Sequence, residues 1–411
     1  MNRINRRKFL YGAGALSAAA LNINNLHCSD LPDLPGTQTQ NSAHSSFDPW
    51  LEINLSNIDH NIGLIKKHTS NRKVMAVIKG NAYGHGLVEV GRHLDKTDIY
   101  GLAVGKLQEA VALRNAGVKC PVLNFGPVSK DDAEIIVRND IAQSVYTDIV
   151  LALRDAAVRL NKQAKVHIKI DTGMGRVGVR NENAGPYIED AAGMEEVKIE
   201  GVFTAFTEEK EYDRVQLQRL NEICDNASAK GISYGLKHAA SSAGIMDFPD
   251  SYLDMIRPGI AIYGHYPSDR EYELKRIQLK PAMTYKTRIC LVKNIHAGEG
   301  VSYHRPFKAE KEETIATAST GYSDGIPYNI PDNASALING RRFPLIAAVT
   351  ANHITMKVTG DNSIKAGDEV VLFGSRDSGE IDAQELAKAA GTSAYKILIW
   401  MNPLLPRTYM T

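Results

Sequence analysis

The chain has 411 residues, which is longer than a single hydrophobic core normally supports, so two domains are expected. Its 48 basic and 47 acidic side chains nearly balance, which argues against a nucleic-acid-binding surface and leaves small neutral or zwitterionic partners open. The four cysteines have no C-x-x-C spacing, so neither a zinc site nor a disulfide framework is predicted.

The N-terminal segment, residues 1–46, is expected to be an export signal followed by a polar linker. Four basic residues and no acidic one occur in the first 20, and the run FLYGAGALSAAAL is too short for a mature transmembrane helix. Arg6 and Arg7 before KFL resemble a twin-arginine signal, which exports folded proteins. We therefore expect a periplasmic mature chain without stable membrane insertion, or a cytoplasmic chain if the signal does not function.

From Lys73 onward, short β-branched runs alternate with stretches of helical period, such as KLQEAVALRNAG, which ends at Gly117. This alternation predicts parallel strands joined by crossover helices. The predicted strands are the runs 73–79, 99–104, 120–125, 141–146, 164–171, 199–206, 234–240 and 255–264. Eight such units close a (β/α)₈ TIM-type barrel, which we assign to residues 47–280. An open doubly wound sheet is the competing architecture, but its typical GxGxxG turn is absent.

After about Lys280 the pattern changes to strand-like runs separated by turn residues, which predicts a mostly-β second domain over residues 281–411. The runs are MTYKTRICLVKNI, ETIATAS, RFPLIAAV, HITMKVT and DEVVLFG, followed by one late helix, DAQELAKAAG. The segment LEINLS before the barrel is expected to add a strand to this domain. Ser56 and Asp59 are predicted to form a capping box for the helix that follows.

Lys79 ends the first predicted barrel strand, within VMAVIKGNAYGHGL, and the active sites of such barrels lie at the C-terminal ends of the strands. A lysine that leaves an apolar strand is partly desolvated, which lowers its pKa and favours a free amine that can form a Schiff base. A lysine that merely snorkels at a strand end is the alternative. RPGIAIYG on the eighth strand offers consecutive backbone amides at Gly259 and Ile260 beside Arg257, a typical phosphate-holding arrangement. The two features together indicate pyridoxal 5'-phosphate.

The motifs AVIKGNAYGHG, IKIDTGMGRVGV, RPGIAIYG, GVSY and GYSDGIP, in this order and spacing, resemble those of the alanine racemases. The resemblance covers about Asp48 to Met410 and implies a pyridoxal-phosphate enzyme with an N-terminal (β/α)₈ barrel and a C-terminal β domain. It implies that Lys79 holds the cofactor and serves as one catalytic base. Tyr303 of the partner subunit resembles the second base, so a homodimer that interconverts L- and D-alanine is implied.

The resemblance also implies which residues surround the cofactor and the amino-acid substrate. Those assigned to the cofactor are Lys79, Tyr83, Arg176, His238, Ser242, Arg257, Gly259, Ile260 and Tyr395. Those assigned to the substrate are Arg176, Tyr322 and Ala351. Arg257 resembles the residue that faces the pyridine nitrogen and, with His238, the relay that assists Tyr303. Lys169 resembles a lysine that is carbamylated in some members and orients Arg176.

An arginine at the pyridine nitrogen has a chemical consequence. Because a guanidinium is permanently charged and can only donate hydrogen bonds, it keeps the ring nitrogen unprotonated and the cofactor a poor electron sink. Negative charge then stays near Cα, which favours reprotonation there over transamination. Racemisation further requires a base on each face of the planar intermediate, since a single base on one face returns the proton mainly to that face and regenerates the starting enantiomer.

Several positions depart from the family pattern. They are Ala205, in place of a histidine that supports Arg257, Ser241 in place of an asparagine, and Ala348, Asn352 and Tyr328 in the substrate corridor. A less charged and roomier corridor leaves a broad-specificity racemase of the cell envelope as an alternative. Export favours that alternative because D-alanine for peptidoglycan precursors is supplied in the cytoplasm, whereas IKIDTGMGR favours alanine. A catalytically weakened pyridoxal-phosphate-binding protein is the second alternative. A decarboxylase of the same architecture is the third, but it would typically carry an acidic residue in place of Arg257.

Overall fold

The computed structural model describes residues 48–330, 334–376 and 379–411, so the predicted signal and linker, residues 1–46, lie outside the described residues. The first ten strands are β1 (Trp50–Asn54), β2 (Lys73–Val77), β3 (Gly101–Val104), β4 (Val122–Asn124), β5 (Ala142–Val145), β6 (Ala164–Asp171), β7 (Val179–Arg180), β8 (Val197–Phe203), β9 (Leu236–His238) and β10 (Met255–Ile256). Each of the eight predicted barrel runs overlaps one of these strands, and β8 begins two residues before its predicted run.

Eight of these strands form a closed parallel barrel. Going round it, the order is β2, β3, β4, β5, β6, β8, β9 and β10, and β10 pairs again with β2. The short strand β7 pairs with β6 outside this circuit. Strands such as β3 and β5 are buried at every position, as expected where helices cover a parallel sheet. The predicted (β/α)₈ barrel is confirmed.

The helices around the barrel connect consecutive strands, and two more lie near the C-terminus. They are α1 (Leu55–His68), α2 (Lys79–Tyr83), α3 (Leu87–Leu94), α4 (Leu107–Asn115), α5 (Ala133–Arg138), α6 (Ile149–Leu160), α7 (Asn181–Ala192), α8 (Lys210–Ala229), α9 (Ser242–Asp247), α10 (Asp269–Leu274), α11 (Ala383–Ala389) and α12 (Ala394–Ile399). None of the helices in the described ranges is long and apolar enough to cross a bilayer.

The C-terminal part is mostly β, as predicted. Its strands are β11 (Met283–Ile295), β12 (Gly300–Val301), β13 (Phe307–Lys308), β14 (Glu313–Ala318), β15 (Ser335–Ile338), β16 (Arg341–Ile346), β17 (Ile354–Lys357), β18 (Glu369–Arg376), β19 (Gly379–Ile381) and β20 (Arg407–Met410). The long strand β11 pairs with β14 along one half and with β18 along the other. Strands β18, β15, β16, β17, β14 and β11 therefore form a closed circuit of their own.

The N-terminal strand β1 joins this second sheet, as the LEINLS segment predicted. It pairs antiparallel with β11 and parallel with β20. The capping prediction for the following helix was wrong, because Asn54 rather than Ser56 caps α1 by accepting a hydrogen bond from the Asn57 N–H at 3.0 Å. Asn54 is the last residue of the strand, and its extended backbone places the side-chain oxygen over the first helical turn.

Candidate active site

Lys79 is followed by a left-handed turn. Gly80, Asn81, Ala82 and Tyr83 have φ values of 64°, 56°, 54° and 50°. This region costs about 1–2 kcal/mol for each residue that carries a Cβ. The turn therefore depends on contacts from elsewhere in the molecule.

Two glycines after the turn leave room for the C-terminal part of the chain. Gly84 has φ 81°, and a Cβ there would lie 2.0 Å from the backbone oxygen of Leu398. Gly86 has φ 99°, and a Cβ there would lie 1.9 Å from the Tyr409 hydroxyl. The Arg407 Nε donates to the Gly84 carbonyl at 2.9 Å. The glycines of the lysine motif are thus explained by the close approach of α12 and β20.

His85 holds the same turn from inside. Its Nδ1 lies 3.1 Å from the carbonyl oxygen of Ala82 and 3.0 Å from that of Tyr83, so Nδ1 carries the proton and donates. The ring is fully buried and stacks on Tyr263 with 4.3 Å between centroids. Burial lowers the pKa of His85 to about 3, so the ring is neutral. His85 has a structural role in the turn.

The predicted phosphate cradle forms where α9 meets the segment after β10. The buried Ser242 hydroxyl accepts hydrogen bonds from the Gly259 N–H at 3.0 Å and the Ala261 N–H at 3.3 Å. Ile260 begins a 3₁₀ turn immediately after Gly259, so three consecutive amides lie at this corner. A short run of N–H groups at a turn binds phosphate oxygens well.

Two tyrosines complete this cradle. The Tyr83 hydroxyl approaches Gly259 so closely that a Cβ there would lie 2.5 Å from it. The Tyr395 ring, on α12, lies 6.0 Å from the Tyr83 ring. Burial raises the pKa of both phenols, so both remain protonated donors. Hydroxyl and amide donors around a space that only glycine leaves open fit the phosphate of pyridoxal 5'-phosphate.

Arg257 is buried, and hydrogen bonds fix its orientation. Its two terminal nitrogens donate to His238 Nδ1 at 2.8 Å, to the Thr204 carbonyl at 2.8 Å and to the Ala239 carbonyl at 2.9 Å. Because arginine only donates, His238 must carry its proton on Nε2, which lies 2.9 Å from His167 Nδ1. Burial and the charge of Arg257 hold the pKa of His238 well below its usual range. Arg257 therefore starts a chain of two neutral histidines.

A row of side chains crosses neighbouring strands beside this chain. Lys169 on β6 is opposite Phe203 on β8, which is opposite His238 on β9. The Phe203 ring stacks on His238 at 4.9 Å, and the Lys169 Nζ and Arg257 Cζ lie 5.9 and 5.2 Å from its centroid. Arg257 is thus supported by carbonyls, a histidine and an aromatic ring, although Ala205 provides no side-chain support.

Positive charge is concentrated at the barrel mouth. Solvent reaches the Lys79 side chain, but surrounding protein partly desolvates its amine, and this lowers the pKa of Lys79 together with the charges of Arg176 and Arg257. Desolvation and Arg176 lower the pKa of Lys169 to about 8. Arg176 is exposed on the loop after β6, which Asp171 shapes by accepting two backbone N–H bonds. The mouth is therefore suited to anionic groups.

Tyr303 belongs to the β domain, and the residues that share its cavity belong to that domain as well. It is 78% exposed, on the loop of the β12–β13 hairpin. It lines a cavity of about 450 Å³ together with Val301, Ser302, Ala348, Thr350 and His353. A single chain thus presents Tyr303 outward.

The structure brings the predicted substrate residues Tyr322 and Ala351 together. The Tyr322 N–H donates to the Thr350 carbonyl at 3.0 Å, and the Ser323 hydroxyl donates to the Ala351 carbonyl at 2.7 Å. Tyr322 and Tyr328 stand edge to face at 5.9 Å beside a groove of about 360 Å³. Because Thr350 also lines the Tyr303 cavity, these groups share one face of the β domain.

Three residues that contact the candidate site residues escaped the sequence analysis. His167 extends the Arg257–His238 chain, Phe203 packs between Arg257 and Lys169, and Glu109 lies beside Lys79. His167 could have been found, since it lies two residues before Lys169 and so faces the same side of β6. Phe203 and Glu109 look like an ordinary strand residue and an ordinary helix residue.

The fold is a parallel barrel joined to a β domain. A partly desolvated lysine and a phosphate cradle lie at the ends of the barrel strands. These features define a pyridoxal-phosphate enzyme of the barrel class. The family descriptions "Alanine racemase, N-terminal domain" and "Alanine racemase, C-terminal domain" match residues 53–267 and 282–409. The chain belongs to the alanine racemase family, whose members are pyridoxal-phosphate-dependent isomerases.

Individual relatives agree with this assignment over nearly the whole chain. The alanine racemase of Symbiobacterium thermophilum is 36% identical over 365 residues, which cover 88% of this chain and 96% of that protein. The alanine racemase structure from Clostridium difficile 630 superposes with a TM-score of 0.84 at 36% identity, covering 89% of this chain and 97% of that one. The Bacillus anthracis enzyme with bound L-Ala-P gives 0.82 at 30% identity, covering 90% and 96%.

Replacement of Gly259 by alanine tests the phosphate cradle. A Cβ at Gly259 would lie 2.5 Å from the Tyr83 hydroxyl, so alanine must displace a hydroxyl of the cradle. We expect the affinity of the cofactor-free chain for pyridoxal 5'-phosphate to fall by roughly tenfold or more, since about 1.4 kcal/mol suffices for that. Fluorescence titration with the cofactor measures it. Gly63→Ala, in α1 with nothing within 4 Å, is the control and should bind normally; equal affinity of the two variants contradicts the assignment.

Proposed function

We propose that the protein interconverts L- and D-alanine by a two-base mechanism, with Lys79 as one base and Tyr303 of the partner subunit as the other. The observation that carries this proposal is the separation of the two groups within one chain. Lys79 lies at the barrel mouth among Arg176 and Arg257, whereas Tyr303 is 78% exposed on a hairpin. Each chain thus holds one base at its own site and offers the other outward.

Lys79 is suited to hold and release the proton of the substrate Cα. Its lowered pKa increases the fraction of neutral amine near neutral pH, which is the form that accepts a proton. When bound, pyridoxal 5'-phosphate supplies the electron-withdrawing system that makes this Cα proton acidic. Tyr83, Ser242 and the amides around Gly259 would hold its phosphate.

Arg257 directs the chemistry towards racemisation. Three of its five N–H donors are used by fixed protein acceptors, which leaves two available and the guanidinium oriented. If Arg257 faced the pyridine nitrogen, its permanent donors would keep that nitrogen unprotonated and would favour return of the proton to Cα. The neutral His238 accepts from Arg257, so it cannot supply a proton through this contact.

Arg176 and Lys169 would hold the substrate carboxylate. The exposed guanidinium of Arg176 can form two parallel hydrogen bonds with a carboxylate, which fixes its plane. The nearby Lys169 adds positive charge and, with a pKa of about 8, has a partly neutral amine near neutral pH. Together they favour substrates that carry a carboxylate.

Mixing two inactive variants tests both bases and the homodimer. Lys79→Ala and Tyr303→Phe should each lose about 10²–10⁴-fold in racemisation, the usual contribution of one positioned acid or base. Unfolded together and refolded as an equal mixture, the chains should regain about a quarter of wild-type activity, because half of the dimers are hybrids with one intact site. A chiral assay of D- and L-alanine measures this. A mixture as inactive as its components would refute the shared site.

A broad-specificity racemase is the second candidate, and Ala348 favours it. This small residue lines the cavity beside Tyr303, where it leaves space for a substrate side chain. If alanine is the main substrate, its kcat/KM should exceed that of any other L-amino acid in a panel by about tenfold or more. Comparable values for larger amino acids would establish the broad-specificity reading. A bound cofactor with no solvent deuterium entering Cα of any of them would instead indicate a weakened binding protein.

We further propose that the chain is exported to the periplasm by its twin-arginine-like segment. The paired Arg6 and Arg7 ahead of a short apolar run support this. Replacing both arginines by lysine should retain the precursor in the cytoplasm, because this route recognises the arginine pair. Cell fractionation with immunodetection measures the distribution. Wild-type protein in the cytoplasm, with the same distribution for the double variant, would show that the segment is not a functional signal.

A further inference from the structure

Glu109, in the first turn of α4, connects the lysine-bearing turn to the next loop of the barrel. Its Oε1 accepts a hydrogen bond from the Asn81 N–H at 3.0 Å, and its Oε2 accepts one from the Gly105 N–H at 3.0 Å. Asn81 belongs to the left-handed turn after Lys79, and Gly105 to the loop between β3 and α4. A single carboxylate therefore fixes two neighbouring loops at the C-terminal ends of the strands.

The same carboxylate lies close to the Lys79 side chain. A Cβ built on Gly105 would be 3.3 Å from the Lys79 Cβ and 3.8 Å from Glu109 Oε2. Gly105 thus leaves a narrow space that the lysine stem borders on one side and the carboxylate on the other. Glu109 is near enough to act on Lys79 through both the backbone and its charge.

The backbone contact supports an unfavourable conformation. Asn81 has φ 56° and is followed by two further non-glycine residues with positive φ. Its amide donates to Glu109 while its own side-chain oxygen accepts from the Leu87 N–H at 2.8 Å. A hydrogen bond to a charged acceptor is stronger than one between neutral groups, so it offsets part of the cost of the left-handed residues. Glu109 is therefore a major support of this turn.

The charge of Glu109 opposes the other charges around Lys79. Arg176 on the loop after β6, Arg257 after β10 and Lys169 on β6 are the cations that act together with Lys79 at this mouth. The Glu109 carboxylate raises the pKa of Lys79, whereas burial, Arg176 and Arg257 lower it. Among the described groups that shift Lys79, Glu109 is the acidic one.

We infer that Glu109 is a positioning residue for Lys79: its carboxylate holds the turn that aims the amine and places a negative charge beside it. The inference rests on the proposed function, since it treats Lys79 as the base. Glu109 lies outside the cofactor cradle. Its replacement is expected to change the orientation and protonation of Lys79, although Glu109 itself does not contact the substrate.

Glu109→Gln tests the charge, because glutamine keeps the size of the side chain and one acceptor oxygen. The rate at which acetic anhydride labels Lys79 in the cofactor-free full chain, measured by mass spectrometry from pH 6 to 11, follows the free amine. The labelling midpoint is the pH at which the labelling rate is half its maximum. Loss of the carboxylate should lower this midpoint by about one pH unit, the usual effect of one nearby opposite charge. Racemisation should fall by roughly tenfold or more as the turn loosens.

Asp95→Asn is the matched control. The Asp95 carboxylate likewise accepts two backbone N–H bonds, from Cys120 at 2.7 Å and Lys119 at 3.0 Å, but ahead of β4, at the opposite end of the barrel. Asp95→Asn should lower the melting temperature without moving the Lys79 midpoint. If Glu109→Gln lowers stability similarly and leaves the midpoint at the wild-type value, Glu109 is only structural and the inference fails.

Glu109→Asp distinguishes the effect of the negative charge from the effect of side-chain length. It also replaces the glutamine variant as the test if that variant does not fold. The shorter acid keeps its charge but cannot hold both amides, so the midpoint should stay near wild type while racemisation falls by roughly tenfold or more. Full activity in Glu109→Asp would overturn the positioning role. Wild-type racemisation is measured in parallel: its absence would refute the proposed function, whereas an active wild type with an unshifted Glu109→Gln midpoint refutes only this inference.

Discussion

The active site depends on the docking of the C-terminal segment onto the left-handed turn that follows Lys79. Leu398 and Tyr409 occupy the space that Gly84 and Gly86 leave open, and Arg407 binds the Gly84 carbonyl. This contact brings α12 to the barrel, and α12 carries Tyr395 to within 6.0 Å of Tyr83. The barrel alone would hold an incomplete cradle on a strained turn. The two domains are therefore one functional unit, because each completes a structure that the other cannot stabilise.

Electrostatics divides the site into a cationic mouth and a neutral interior. Lys79, Lys169 and Arg176 concentrate positive charge at the barrel mouth, where Arg176 lowers the pKa of both lysines. Behind them, Arg257 is desolvated but compensated by carbonyl oxygens and by His238, which stays neutral. Since a buried cation without acceptors would be costly, these fixed acceptors allow a guanidinium to remain charged at this depth. The orientation of Arg257 thus depends on the packing of β8 and β9.

The sequence predicted the regular architecture well, and the failures have identifiable physical causes. The eight barrel runs were visible because strands buried on both faces are continuously apolar, and the runs that became β11, β14, β16, β17 and β18 were bounded by turn residues. Helix α12 and strand β20 were missed because six- and four-residue elements show too little periodicity. The cap at Asn54 was misassigned to Ser56 because both residue types cap helices, and only the end of β1 decides between them. Of the site, the resemblance located the cradle and Arg257, whereas His167, Phe203 and Glu109 had no motif to mark them.

By itself, the sequence determined the chemistry that is available: a lysine at a strand end, a corner of consecutive amides marked by glycine, an arginine beside that corner and a tyrosine in GVSY, because these depend on residue type and short-range spacing. The tertiary structure decided which groups act on one another. The register of β6, β8 and β9 aligns Lys169, Phe203 and His238 across the barrel, and the direction of the hydrogen bond from Arg257 fixes the tautomer of His238. Such contacts join residues far apart in the chain, so they follow from strand pairing and packing that no local pattern encodes.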